Sequence, residues 1–177
     1  MNGFNISEAG HVAVLLPPQS ITGDSDATPV NPAFSMKGYK HATILIIWGA
    51  EATQDATTLL LYLCATAAGG SPIAIPFNYY FQAAGGAGND VLGSINNAPA
   101  TGLVLAVGNA PPNGLITIEI DANELEAATG APLGGSLGVD SYIGVGIGAP
   151  AAADFCSIVV ILSGARYANV ASPTVTT

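Results

Sequence analysis

Few residues in this chain are of a type that does chemistry, and their spacing decides how far each idea goes. Gly23-Asp24-Ser25-Asp26 has the outline of a serine-esterase nucleophile block. Such a serine needs a histidine base within hydrogen-bond reach. The only histidines, His11 and His41, both open strand-like runs, whereas that esterase type would carry its histidine near the C-terminus. No apolar strand leads directly into Ser25 either. The neighbouring acids do not make a calcium loop, because no D-x-D-x-D-G run with a closing bidentate glutamate follows. This segment therefore reads as a polar loop, and the histidines read as strand-end residues satisfied by their neighbours.

Glu119, Asp121, Glu124 and Glu126 form the densest acidic group. Paired carboxylates can cleave a glycoside, but they need an aromatic-lined sugar groove. The single Trp48 lies inside an apolar run, so a solvated acidic face with helix-dipole compensation is the expectation. Gly144-x-Gly146-x-Gly148 lacks the spacing and the following helix of a dinucleotide fingerprint. Cys64 and Cys156 each sit in an apolar run and read as buried thiols. Two cysteines alone support neither a disulfide framework nor a zinc site. We therefore expect no catalytic residue, no metal and no cofactor. What remains are contact residues. Tyr79, Tyr80 and Phe81 form the aromatic cluster, and Arg166 stands beside Tyr167 just after the most apolar strand. An arginine there can make a bidentate contact with a carboxylate of its own or a neighbouring subunit.

Composition points the same way. Half of the 177 residues are hydrophobic and only 8% are charged, against about 25% in ordinary soluble domains. Three basic residues against twelve acids give a net charge of −9. A nucleic-acid partner is excluded, because phosphate binding depends on Lys and Arg releasing counterions. Apolar runs such as Ile44 to Trp48 are far shorter than the roughly 20 residues that span a bilayer as a helix, so no membrane partner is expected. The opening M-N-G-F-N-I-S-E lacks the basic and apolar regions of a secretory signal and reads as an arm. So apolar a chain with so few surface charges is poorly equipped to stay a free monomer.

The elements that hold these residues are strands. Asp154 to Tyr167 contains Ile158-Val159-Val160-Ile161-Leu162, a β-branched run that predicts a central strand buried on both faces. Further strands are expected at His11 to Leu16 (stopped by Pro17-Pro18), Phe34 to Met36, Ala42 to Trp48, Thr57 to Thr66, Leu103 to Val107, Leu115 to Ile120 and Tyr142 to Ile147. Leu59 to Cys64 does not alternate and could suit a helix, but the flanking threonines and the Gly69-Gly70-Ser71-Pro72 turn favour a strand. Ile73 to Phe81 carries Pro76 and is expected at a sheet edge or bulge. Gln82 to Thr101 reads as a long loop with an apolar piece at Val91-Leu92. Asp121 to Ala128 is the one predicted helix, with Asp121 as N-cap and Glu124 completing a capping box. Eight or nine short strands indicate one all-β domain over residues 1–177, a jelly-roll-like β-sandwich with one short helix. Met1 to Gly10 and Ala168 to Thr177 flank it as an N-terminal arm and a C-terminal tail.

Three stretches carry a resemblance: N-I-S-E-A-G-H-V-A-V-L-L-P-P at the start, F-S-M-K-G-Y-K-H-A-T-I-L-I-I-W-G, and S-I-V-V-I-L-S-G-A-R-Y-A-N-V-A-S-P-T-V at the end. They resemble small virion structural proteins of tailed bacteriophages, above all the capsid auxiliary or decoration type. The resemblance implies a non-enzymatic β-rich module on the capsid exterior. It would be made in the host cytoplasm and contact the major capsid protein and its own copies as a homo-oligomer, for instance a trimer. A tail or connector component is the neighbouring expectation. A carbohydrate-binding or host-adhesion module using Tyr79, Tyr80 and Phe81 is the expectation from another class.

Overall fold

The computed structural model describes residues 10–21, 33–49, 57–82, 93–105, 114–122, 125, 142–148 and 154–165. These form eleven strands: β1 (Gly10–Ile21), β2 (Phe34–Ser35), β3 (Tyr39–Trp48), β4 (Thr57–Cys64), β5 (Ile73–Ile75), β6 (Phe77–Gln82), β7 (Asn96–Ala98), β8 (Leu103–Leu105), β9 (Leu115–Asp121), β10 (Tyr142–Ile147) and β11 (Asp154–Ala165). The larger sheet runs β1-β11-β3-β9-β6-β7, and the smaller runs β2-β10-β4-β5. Thr57 to Leu59 pair with β8 and Leu61 to Leu63 with β5, so these two short strands share one edge of β4. Every pairing among them is antiparallel.

Taking β1, β2, β3, β4, β5, β9, β10 and β11 as the frame, the sheet orders become first-eighth-third-sixth and second-seventh-fourth-fifth. Successive strands of this frame alternate between the sheets, except that the fourth and fifth (β4 and β5) are neighbours in the smaller one, and the chain closes beside its own beginning. That is the jelly-roll arrangement, with β6 and β7 added beyond β9. It brings the two ends of the described chain together, since Gly10 pairs with Ser163 and Ile21 with Asp154.

Alternation builds the core. Ala42, Ile44, Ile46 and Trp48 of β3 point inward beside Ile116, Ile118 and Ile120 of β9 and Cys156, Ile158, Val160 and Leu162 of β11. Leu59, Leu61 and Leu63 of β4 and Ile143, Val145 and Ile147 of β10 meet them from the smaller sheet. β4 is buried on nearly every residue because its other face holds a second cluster with Ala33, Leu60, Tyr62 and Cys64. That is why the leucine run does not alternate, and why the strand reading over Thr57 to Cys64 stands.

Four sequence expectations change. Pro17-Pro18 does not stop β1, which continues to Ile21 through two register shifts around Leu16. β1 is an edge strand, where proline's missing N–H is tolerated, and the bulge absorbs the rest. Ser157 Oγ donates to the Leu16 carbonyl at 3.1 Å and secures that irregularity. Ile73 to Phe81 is not one edge strand or bulge: β5 does lie at the edge of the smaller sheet, but Pro76 turns the corner and β6 begins after it inside the larger. β11 is neither central nor buried on both faces, for it lies one strand in from the edge with Val159 and Ile161 facing out. Asn96 to Ala98, expected in a loop, pairs with Phe77 to Tyr79 as β7. Of the predicted helix only Asp121, Ala122 and Leu125 are described. Asp121 closes β9, and Ala122 and Leu125 are buried in the core. Ser25, Val91-Leu92 and both terminal arms beyond Gly10 and Ala165 lie outside the described residues.

Candidate interaction surface

The outer face of the larger sheet follows from register. Opposed residues in antiparallel strands share a face, so pairing lays the outward side chains in rows across the strands. One row reads Val12, Ile161, Thr43, Glu119 and Asn78. The next reads Val14, Val159, Leu45, Thr117 and Tyr80. A third holds Ser157, Ile47, Leu115 and Gln82. Phe155 lies beyond it, its carbonyl accepting from Gly49 N–H at 2.7 Å. Among the described residues, no outward position of β1, β11 or β3 from the Val12 row to Phe155 is charged. Val12, Val14, Ile47 and Phe155 are 46%, 57%, 46% and 49% exposed. Apolar side chains standing together at such exposure mark an interaction surface more often than isolated ones do.

A charged corner closes this face. His41 on β3 pairs with Asp121 on β9, and Glu119 lies one row along. His41 Nε2 meets Glu119 Oε2 at 2.5 Å and Nδ1 meets Asp121 Oδ1 at 3.0 Å. Thr43 Oγ1 donates to the same Glu119 oxygen at 2.9 Å. A neutral imidazole carries one N–H, so it can donate to only one of the two carboxylates, whereas the imidazolium satisfies both. Burial alone would lower the His41 pKa, but hydrogen bonds to Asp121 and Glu119, with their negative charge, outweigh it and raise the pKa above its ordinary value. The cluster is thus a cross-strand clasp that is fully hydrogen-bonded when His41 is protonated. The two carboxylates engage opposite ring nitrogens, so they do not converge on one point, and no metal-holding group of three or more such residues occurs among the described residues.

The expectation that the histidines are satisfied by neighbours fits His41, and its partners are two of the acids expected on a solvated face. Spacing alone could not reveal this, since His41 and Asp121 are eighty positions apart and meet only because β3 pairs with β9.

The aromatic cluster divides across its strand. Tyr79 and Phe81 pack against the core, Tyr79 tilted on Phe77 with ring centroids 6.2 Å apart, while Tyr80 takes the outer face. The three therefore do not present one platform. Arg166 and Tyr167 lie outside the described residues. Cys64 and Cys156 are buried, one in each sheet, and burial pushes the Cys64 thiol pKa up. A cavity of about 190 Å³ opens at the β5–β6 corner, lined by Leu61, Ile75, Phe77, Asn78, Asn97 and Glu119 among others. It falls short of the roughly 300–1,000 Å³ of typical small-molecule sites. No helix among the described residues is long and apolar enough to cross a membrane. Compared with known proteins, the chain matches no family model, no curated protein and no solved structure.

Proposed function

We propose that this chain is a non-enzymatic structural protein of a phage virion, a jelly-roll module on the capsid exterior that reinforces the shell by packing against the major capsid protein and its own copies. The observation that carries this reading is the apolar, uncharged outer face across β1, β11 and β3. A module bound into a lattice buries such a face, each contact contributing about 25 cal/mol per Å² of apolar area and recurring with every copy. The jelly roll supports the reading as an analogy of architecture, because viral capsid domains use it, as do lectins and cupins.

The test is location. Antibody raised against the recombinant chain and applied to gradient-purified particles of the encoding phage should label the capsid at regular positions. Absence of the chain from intact particles overturns the proposal, and label confined to the tail moves it to a tail component. The glycan-binding alternative rests on Tyr79, Tyr80 and Phe81, of which Tyr80 alone takes the outer face. A glycan array separates it from the shell role, and binding lost on Tyr80→Ala would favour it.

A further inference from the structure

We infer that the outer face of the larger sheet is the seat of a second copy of this chain, the two sheets stacking face to face about a two-fold axis. The inference deepens the proposed shell role by naming the surface through which copies meet, and it rests on that role for the purpose of the contact.

Area is the first argument for a second copy. Four strands, β1, β11, β3 and β9, spaced about 4.8 Å apart, span about 19 Å, and four outward rows about 6.8 Å apart span about 27 Å. The footprint is therefore about 500 Å² per copy, with Glu119 on β9 at its rim. Two copies together remove about 1,000 Å², the lower bound of a specific interface. The side chains stand proud of the sheet, so the accessible area lost exceeds the footprint. Face-to-face packing at about 10 Å between sheets is the ordinary way for two such surfaces to meet.

Charge is the second argument. A chain of net charge −9 repels its own copies, so self-contact has to use a surface whose acids stand at its rim. The outer face supplies one: among the side chains described on it, the acids stand only at the Glu119 and Asp121 corner. A two-fold axis lying in the interface and running across the strands sets that corner over the Phe155 end of the other copy. The four carboxylates of the pair then lie at opposite ends. An axis along the strands would keep both acidic ends together and is disfavoured for that reason. Val159 and Leu45, opposed across β11 and β3, stand near the middle of the contact.

Sedimentation equilibrium of the full chain from about 1 to 500 µM tests this, with Val14→Lys and Ile47→Lys as face variants. Both positions are roughly half exposed, so the changes leave the core intact, which far-UV circular dichroism checks. Val104→Lys, at a 65% exposed position on β8 of the other sheet, is the control. The expected result is a reversible dimer whose dissociation constant rises about tenfold or more with either face variant and is unmoved by Val104→Lys. A monomer throughout the range overturns the inference. So does a dimer indifferent to both face variants, or one weakened equally by the control. The shell role is read separately, from particle association: a monomer found on capsids overturns only the paired face, whereas a face-paired dimer absent from particles overturns only the shell role.

Discussion

Ile46 and Ile47 are neighbours of the same type on β3, and the fold assigns them opposite fates. Ile46 is fully buried between Ile158 and Ile116, while Ile47 is 46% exposed on the outer face. Replacing isoleucine by alanine removes three carbon groups, worth about 0.8 kcal/mol each when fully buried, or about 2.4 kcal/mol. At Ile46 a cavity penalty adds to this, since strands on both sides and β4 opposite cannot collapse into the space. The total belongs in the upper part of the range of about 2–5 kcal/mol for such core truncations. At Ile47 about half of the transfer term applies and no closed cavity forms, which gives about 1.3 kcal/mol. For a chain of this size each kcal/mol moves Tm by about 2–4 °C. Thermal unfolding at low micromolar concentration should therefore show a drop of about 8–16 °C for Ile46→Ala and about 3–5 °C for Ile47→Ala. Urea midpoints with unchanged slopes should rank the variants the same way. Equal losses at the two positions would refute the reasoning, because they would mean that the outer face is already covered within the monomer. A reversed order would mean that β3 is displaced by one residue, which exchanges the two faces.

The His41 clasp predicts a pH dependence of definite sign. A pKa raised in the folded state means that protonation favours folding. The excess stability of the native chain over His41→Gln should be fully present below the ordinary value of 6.5 and fade as pH rises through the higher folded value. Urea unfolding in steps from about pH 6 to pH 9 reads this, and a gap that widens with pH would contradict it. Gly102→Ala should cost more than about 1–2 kcal/mol, because its φ of +95° is strained for alanine. The added Cβ would also lie 2.8 Å from the Leu59 carbonyl oxygen. Gly38→Ala, at φ +88° with open space around it, should cost only the backbone strain. Ser157→Ala should lose about 1 kcal/mol or more, since it leaves the Leu16 carbonyl at the β1 bulge without its hydroxyl donor. Cys64 should resist a thiol reagent in the native state and react on unfolding, being buried with a raised pKa; rapid native labelling would place it at the surface.

What the chain determined by itself was local. β-Branched runs, period-two alternation in Leu115 to Ile120 and the glycine and proline punctuation were enough to mark most strands and an all-β sandwich. Strand propensity and turn chemistry act over a few residues, so they can be read without knowing the partners. Scarcity of charge, with no catalytic spacing, likewise points to a surface rather than a pocket. Only tertiary structure decided the rest, because pairing over long separations leaves no local trace. It turned the Ile158 to Leu162 run half outward, let β1 pass through two prolines because it lies at an edge, and split Tyr79 and Phe81 from Tyr80. It also brought His41 across to Glu119 and Asp121. One face of a strand is no different from the other until a second sheet packs against it, and that choice made one side of β11 core and left its other side open.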